Sequence, residues 1–153
     1  MKNSFRKSDY KRFREDLKNA EQLLFIADNT GEAVFDKLLL QKLSEFNLDI
    51  KYAVREVPIL NDITKKEALE LGIDEYADII SSGSRAPGVL MKYAGEEFAE
   101  TFQSADIILS KGQGNLEGLY QNQEGIYYLL KAKCSLIADI LGVDIGDFLF
   151  IYR

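Results

Sequence analysis

Histidine does not occur anywhere in this chain. Its absence removes Ser-His-Asp and Cys-His nucleophilic catalysis, histidine-ligated zinc and phosphohistidine chemistry. Cysteine occurs once, as Cys134, so no intrachain disulfide can form. Cys134 reads as a small apolar packing residue, with no partner that would make it a nucleophile. Long apolar runs are also missing. No stretch is long enough to cross a membrane, and the N-terminus lacks the apolar core of a signal peptide, so the expected location is the cytoplasm. Excess positive charge is lacking too: 19 Lys and Arg stand against 25 Asp and Glu, a formal net charge of −6. That balance argues against a general nucleic-acid or membrane surface. The basic stretch from Met1 to Lys18 reads as a solvated helix face rather than an RNA site. There is no internal repeat, low-complexity tract or linker.

What the chain does contain is a core and a series of strand-turn-helix units. Its 153 residues are 46% hydrophobic and 29% charged, as expected of a soluble globular domain. The organising stretch is Leu23-Leu24-Phe25-Ile26-Ala27-Asp28-Asn29-Thr30-Gly31-Glu32. An apolar run of strand length stops in a polar turn and feeds a helical pattern, the start of a β-α unit. In open α/β sheets, ligands bind at the carboxyl ends of strands. Asp28 and Asn29 are hard oxygen donors at such an end and together suit a divalent cation. The neighbouring helix N-terminus suits an anion. The plainer alternative is that Asp28, Asn29 or Thr30 caps the helix.

A helix is expected from about Ser8, capped by Ser8 or Asp9, with Tyr10, Phe13, Leu17 and Ala20 on its apolar stripe. The strand Leu23–Ala27 leads into a helix over 30–46, with Val34, Leu38, Leu39, Leu43 and Phe46 inward and Asn47 at its end. The second strand is Ile50–Arg55, and Pro58 keeps the following segment out of a central strand. Asp62 or Thr64 caps a helix over 65–71, which Gly72 closes. A third strand, Ala77–Ser81, runs into Ser82-Gly83-Ser84-Arg85-Ala86-Pro87-Gly88, a loop of hydroxyls and backbone donors. A helix over 95–104 precedes the fourth strand, Asp106–Ser110. Then comes Lys111-Gly112-Gln113-Gly114-Asn115, two glycines after a strand with a lysine in front. This is a phosphate cradle in outline, yet neither a P-loop nor a dinucleotide fingerprint. The fifth strand is Ile126–Lys131, a short helix covers 135–141 with Gly142 at its C-cap, and the sixth strand is Asp147–Tyr152. The alternation predicts a three-layer, Rossmann-like α/β fold with a mostly parallel sheet of about six strands. The division of the chain is an N-terminal helix over 1–22 and an α/β domain over 23–153.

Three strand ends therefore carry complementary groups. Asp28, Asn29 and Asp62 are metal-ligand types; Lys111 and Asn115, helped by Ser81, Ser82, Gly83 and backbone N–H groups, suit an anion. A divalent cation facing a lysine is what phosphoryl transfer requires. With neither histidine nor a second cysteine, all protein ligands must be oxygen, which favours octahedral coordination with several waters over tetrahedral zinc. As a loop residue, Asp62 is expected to tolerate Ala with loss of metal binding and an intact fold. Lys111→Met is likewise expected to keep thermal stability and lose activity.

These segments resemble, in order, the metal-dependent damage-control phosphatases. The residues that carry the resemblance are Ala27 to Glu32 with Phe35-Asp36, Val54-Arg55, Pro58 to Asp62, Lys111 to Glu117, and Leu129 to Cys134. The match runs from about Leu23 to the C-terminus. The resemblance implies that Asp28, Asn29 and Asp62 hold a divalent metal and that Lys111 and Asn115 bind substrate phosphate. Asp28, Asp62 and Lys111 become the expected catalytic set, with Glu32, Arg55, Gly112 and Gly114 supporting. It further implies hydrolysis of small phosphate monoesters of damaged or surplus metabolites, with manganese, cobalt, nickel or magnesium as the metal.

The chain departs from the family pattern in three places. About one helix precedes the Asp-Asn motif, where the family carries a larger helical region that walls the active site. Glu56-Val57 stands where small glycines are expected, and Thr30 where alanine is expected. The missing wall leads to the expectation of a homo-oligomer with the active-site edge near the interface. The alternative function is a non-catalytic phosphometabolite-binding or scaffolding domain. A Rossmann-like methyltransferase is disfavoured because no glycine-rich loop follows the first strand.

Overall fold

A computed structural model describes residues 5–121 and 123–153. The first four residues of the basic N-terminal segment lie outside the described residues. The strands are β1 (Lys7–Ser8), β2 (Gln22–Ile26), β3 (Asp49–Val54), β4 (Asp78–Ser81), β5 (Ile107–Lys111), β6 (Ile126–Lys131) and β7 (Phe148–Tyr152). The helices are α1 (Tyr10–Asp16), α2 (Ala33–Leu43), α3 (Lys65–Glu70), α4 (Glu96–Ser104), α5 (Gln113–Leu119) and α6 (Ser135–Leu141). The strands form one sheet in the order β1-β7-β6-β5-β2-β3-β4, parallel throughout except for the antiparallel β6–β7 pair.

Strand alternation separates two cores. Leu23, Phe25, Tyr52, Val54, Leu109 and Tyr127 face one side of the sheet, where Phe13 and Leu17 from the α1 region, Leu40 and Leu43 of α2 and Ala68 of α3 cover them. Leu24, Ile26, Ala53, Ile108, Tyr128 and Leu130 face the other side, against Phe98 and Phe102 of α4, Leu116 and Leu119 of α5, and Ile137 and Leu141 of α6. This is the expected three-layer α/β arrangement. The sheet has seven strands rather than about six, because the two residues of β1 pair with β7. A two-residue strand carries no periodicity to read.

The helix over 30–46 is divided. Thr30–Glu32 and Ser44–Phe46 are 3-10 turns flanking α2, and Asn47 ends the run in a left-handed conformation. Its inward face differs in part from expectation: Leu43 is buried and Leu39 packs against the core as expected, but Ala33, Asp36 and Leu40 complete the buried face, whereas Val34 and Leu38 are more than half exposed and Phe46 is also exposed. Thr64, not Asp62, is the N-cap of α3, in a capping box with Glu67. Asp62 is thereby free for another role. The segment after Lys111 is not an open loop, since α5 begins at Gln113 directly after Gly112. Among the described residues no helix is long and apolar enough to cross a membrane.

The chain lays down β2, β3 and β4 in one direction, then crosses back to place β5 on the other side of β2. The strand order thus reverses between β2 and β5. The chain leaves β2 towards one face of the sheet, covered by α2, and β5 towards the other, covered by α5, which opens a crevice at their carboxyl ends, the preferred ligand position in such sheets.

Candidate functional site

Asp28 follows β2 and Lys111 ends β5, so the two flank that crevice and line one pocket of about 270 Å³. Glu32, Gly112, Gln113, Lys131 and Lys133 line it too, with Phe5, Phe35 and Phe148 at its apolar side. The loop after β3 joins from the opposite flank. A turn through Leu60, whose φ of 51° is left-handed, returns the chain so that Asp62 N–H donates to Ile59 at 2.9 Å. Asn29 and Asp62 then pair as a two-residue bridge, while Thr30 N–H donates to Asn61 O (2.8 Å) and Ile63 N–H to Asp28 O (2.9 Å). Backbone pairing therefore brings Asp28, Asn29 and Asp62 together.

Burial, then the Asp62 and Glu32 charges, push the Asp28 carboxyl up to about 6, against the partial relief of Lys133 and Arg55. Such neighbouring carboxylates are what a cation would stabilise. Asn29 Nδ2 donates to Asp28 Oδ2 at 2.8 Å, which leaves the Asn29 carbonyl oxygen as its donor atom towards a metal. Among the described residues no group of three or more His, Cys, Asp or Glu is arranged around a metal position. The set here is two carboxylates and one carboxamide, which fits a hard divalent cation that keeps several waters. Gly112 makes room for this arrangement. Its φ is 82°, and a Cβ there would lie 2.1 Å from Asp28 Oδ2.

Asp62 is not a free loop carboxylate. Arg55 Nε donates to Asp62 Oδ2 at 2.7 Å, and the guanidinium is almost wholly buried. Arg55 Nη2 donates to Asn115 Oδ1 at 2.8 Å, while no partner for Nη1 is present among the described residues. Asn115 Nδ2 donates to Ala27 O (3.0 Å) and Lys111 O (2.7 Å). With every polar function engaged and no exposed surface, Asn115 ties the ends of β2 and β5 to Arg55 and lies behind the pocket. The Lys111 ammonium meets Asp36 Oδ1 at 2.5 Å and Glu32 Oε2 at 2.9 Å. Burial opposes its charge, but these carboxylates outweigh burial and raise its pKa above the usual lysine value.

Other expected positions are packed or hydrogen-bonded within the fold. Gly112 N–H is spent on Leu129 O at 3.0 Å, and Gly114 packs against the backbone of Gly88. Ser82 is fully buried, Ser81 donates to Glu56, and Gly83 is pressed against the Gly95 backbone. Gly83 lines a separate cavity with Arg85, Ala86 and Tyr93 rather than the pocket of Asp28 and Lys111. Two site residues, Lys133 and Asp36, fall in the segments that carry the family resemblance but have no site role in the sequence analysis. Lys133 lines the pocket beyond β6, and the signal for it was its place after the strand next to β5. Asp36 holds Lys111, and no helical periodicity rule could have found a buried carboxylate.

A family profile described as the damage-control phosphatase ARMT1-like domain matches residues 1–149. The chain belongs to this family. It is 42% identical over 140 residues to a damage-control phosphatase of Pyrococcus horikoshii, covering 90% of this chain and 49% of that one. A protein of Methanocaldococcus jannaschii is 41% identical over 140 residues, with 89% and 46% covered. A damage-control phosphatase of Archaeoglobus fulgidus is 33% identical over 128 residues, with 82% and 44% covered. The crystal structure of a DUF89 family protein from Pyrococcus horikoshii matches with a TM-score of 0.94 at 39% identity, over 99% of this chain and 54% of that chain. The chain thus spans about half the length of the curated relatives it matches.

Proposed function

We propose that this damage-control phosphatase domain hydrolyses small phosphate monoesters, such as damaged or surplus sugar phosphates, with a divalent metal held by Asp28, Asn29 and Asp62. The observation that carries the reading is that Asp28, which feels the charge of Asp62 from the neighbouring strand end, shares one pocket with the buried, charged Lys111. Manganese, cobalt, nickel or magnesium, when bound, supplies Lewis-acid polarisation of the phosphoryl group. The chain's own residues do the rest. Arg55 holds Asp62 by one oxygen and leaves the other for the cation. Lys111 presents a positive charge to the phosphoryl oxygens, and Lys133 adds a second at the rim. Phe5, Phe35 and Phe148 limit water around the substrate body.

Release of phosphate from an aryl phosphate, with and without Mn²⁺ or Co²⁺, tests the activity. Lys111→Met is expected to cost about 10²–10³ in turnover, as loss of a preorganised charge does. Contrary to the sequence expectation, it should also lower stability, since it leaves Asp36 buried and unpaired. Wild-type protein that binds phosphate but turns over nothing with any of the four metals would instead support a binding module.

A further inference from the structure

Asp36 sits on the inward stripe of α2, between Ala33 and Leu40, where packing alone calls for an apolar side chain. A carboxylate in that position is costly unless both oxygens are satisfied. Both are: Oδ1 accepts from Lys111 Nζ at 2.5 Å and Oδ2 from the Tyr52 hydroxyl at 2.8 Å. Tyr52 comes from β3 and Lys111 from β5, so Asp36 spans β2 between them. Tyr52 is fully buried, and burial followed by the Asp36 charge push its hydroxyl far above the ordinary phenol value. It therefore remains a donor.

Lysine carries a point charge on a flexible four-carbon stem, and by itself such a stem does not fix an ammonium. Lys111 has three N–H donors. One goes to the buried Asp36 and one to Glu32 at the half-exposed rim. Lys111 also lines the pocket, where a ligand would meet its ammonium. A purely stabilising role is a weak explanation, because buried ion pairs often contribute less than apolar residues of the same volume.

We propose that Asp36, braced by Tyr52, is the positioning residue that fixes the Lys111 ammonium in the pocket. Its catalytic consequence rests on the phosphatase reading above; its structural content does not. The test reads the Lys111 amine directly, by competitive acetic anhydride labelling across pH with peptide mass mapping. Asp36→Asn should move the titration of Lys111 to lower pH, because burial then acts without its main opponent. Labelling at fixed pH should rise about tenfold for every pH unit by which the Lys111 titration midpoint falls. Lys51, paired with Asp78 at the surface, should not change.

In turnover, Asp36→Asn should cost about 10²-fold, mostly in kcat, as misplacement of a catalytic group does. Asp36→Asn/Lys111→Met should then be no slower than Lys111→Met alone. Unchanged Lys111 labelling in a folded Asp36→Asn variant would overturn the proposal. Wild-type protein without turnover would remove the phosphatase reading and leave the labelling result standing. Should Asp36→Asn not fold, Tyr52→Phe keeps both charges and removes one brace. It should raise Lys111 labelling several-fold, and unchanged labelling would again overturn the proposal.

Discussion

Asp28→Asn should stabilise the metal-free protein. The Asp28 carboxyl is pushed from 3.8 up to about 6, first by burial and then by the Asp62 and Glu32 charges. That rise corresponds to about 3 kcal/mol, the cost of ionising this group in the folded state relative to the unfolded one. Because the folded-state value is the higher one, the proton binds the folded protein more tightly. The cost is therefore fully present above about pH 6 and is relieved as pH falls towards 3.8. Asn removes it at neutral pH and keeps an oxygen for the Asn29 amide, which now donates to Asp28 Oδ2. For a domain of this size, about 3 kcal/mol is about 6–12 °C in Tm. The assay is thermal unfolding of wild type and variant in chelator, from pH 4.5 to 8. The gain should be largest near pH 8 and shrink towards pH 4.5. Mn²⁺ at about 1,000 times its Kd should reverse the order, since it adds about 4.1 kcal/mol to the wild type alone. A variant less stable than wild type in chelator at pH 8, or a gain that does not change with pH, would refute the reasoning.

Asp62→Asn should weaken Mn²⁺ binding by calorimetry while still accepting from Arg55 Nε. Asp62→Ala, expected from the sequence to leave the fold intact, should instead destabilise by about 3–5 kcal/mol, because it strands a buried guanidinium. Gly112→Ala should lower both Tm and metal affinity, since its Cβ would displace the Asp28 carboxylate and its φ of 82° disfavours a side chain. Phe35→Glu should reduce self-association measured by light scattering. Phe5, Phe35 and Phe148 are exposed apolar side chains at the pocket, and Val34 and Leu38 are exposed on the same helix as Phe35. A wild-type monomer at micromolar concentration with full activity would remove that expectation.

The strands were legible because a parallel sheet covered on both faces demands continuous apolar runs, and Leu23–Ile26 and Ile107–Leu109 are such runs. Asp28, Asn29 and Asp62 were legible for a related reason: a polar turn after an apolar strand has a predictable place in this fold. What was not legible is how side chains at the site use one another. Asn115 follows a lysine and two glycines, so it reads as an anion ligand, yet its amide closes the gap between β2, β5 and Arg55. Arg55 and Asp62 are seven residues apart in a loop with no regular period, and nothing local pairs them.

Helix α2 shows why the error was systematic. Reading apolar residues as inward puts Val34 and Leu38 on the sheet with Leu39 and Leu43, and gives Asp36 no place there. The helix keeps Leu43 inward but turns Val34 and Leu38 out, and Asp36 is buried while Phe35 is 70% exposed. Periodicity assumes that the covered face is chosen by transfer free energy alone. At the end of α2 next to the β2–β5 crevice, a second requirement competes: Lys111 needs an anion within the protein if its charge is to persist under burial. Turning Asp36 inward meets that requirement and turns Phe35 towards the pocket rim. The same rotation that defeats the sequence pattern therefore places the lysine, its carboxylate and the apolar wall of the pocket together. A misphased amphipathic helix beside a strand switch point is thus a usable sign of a functional site in its own right.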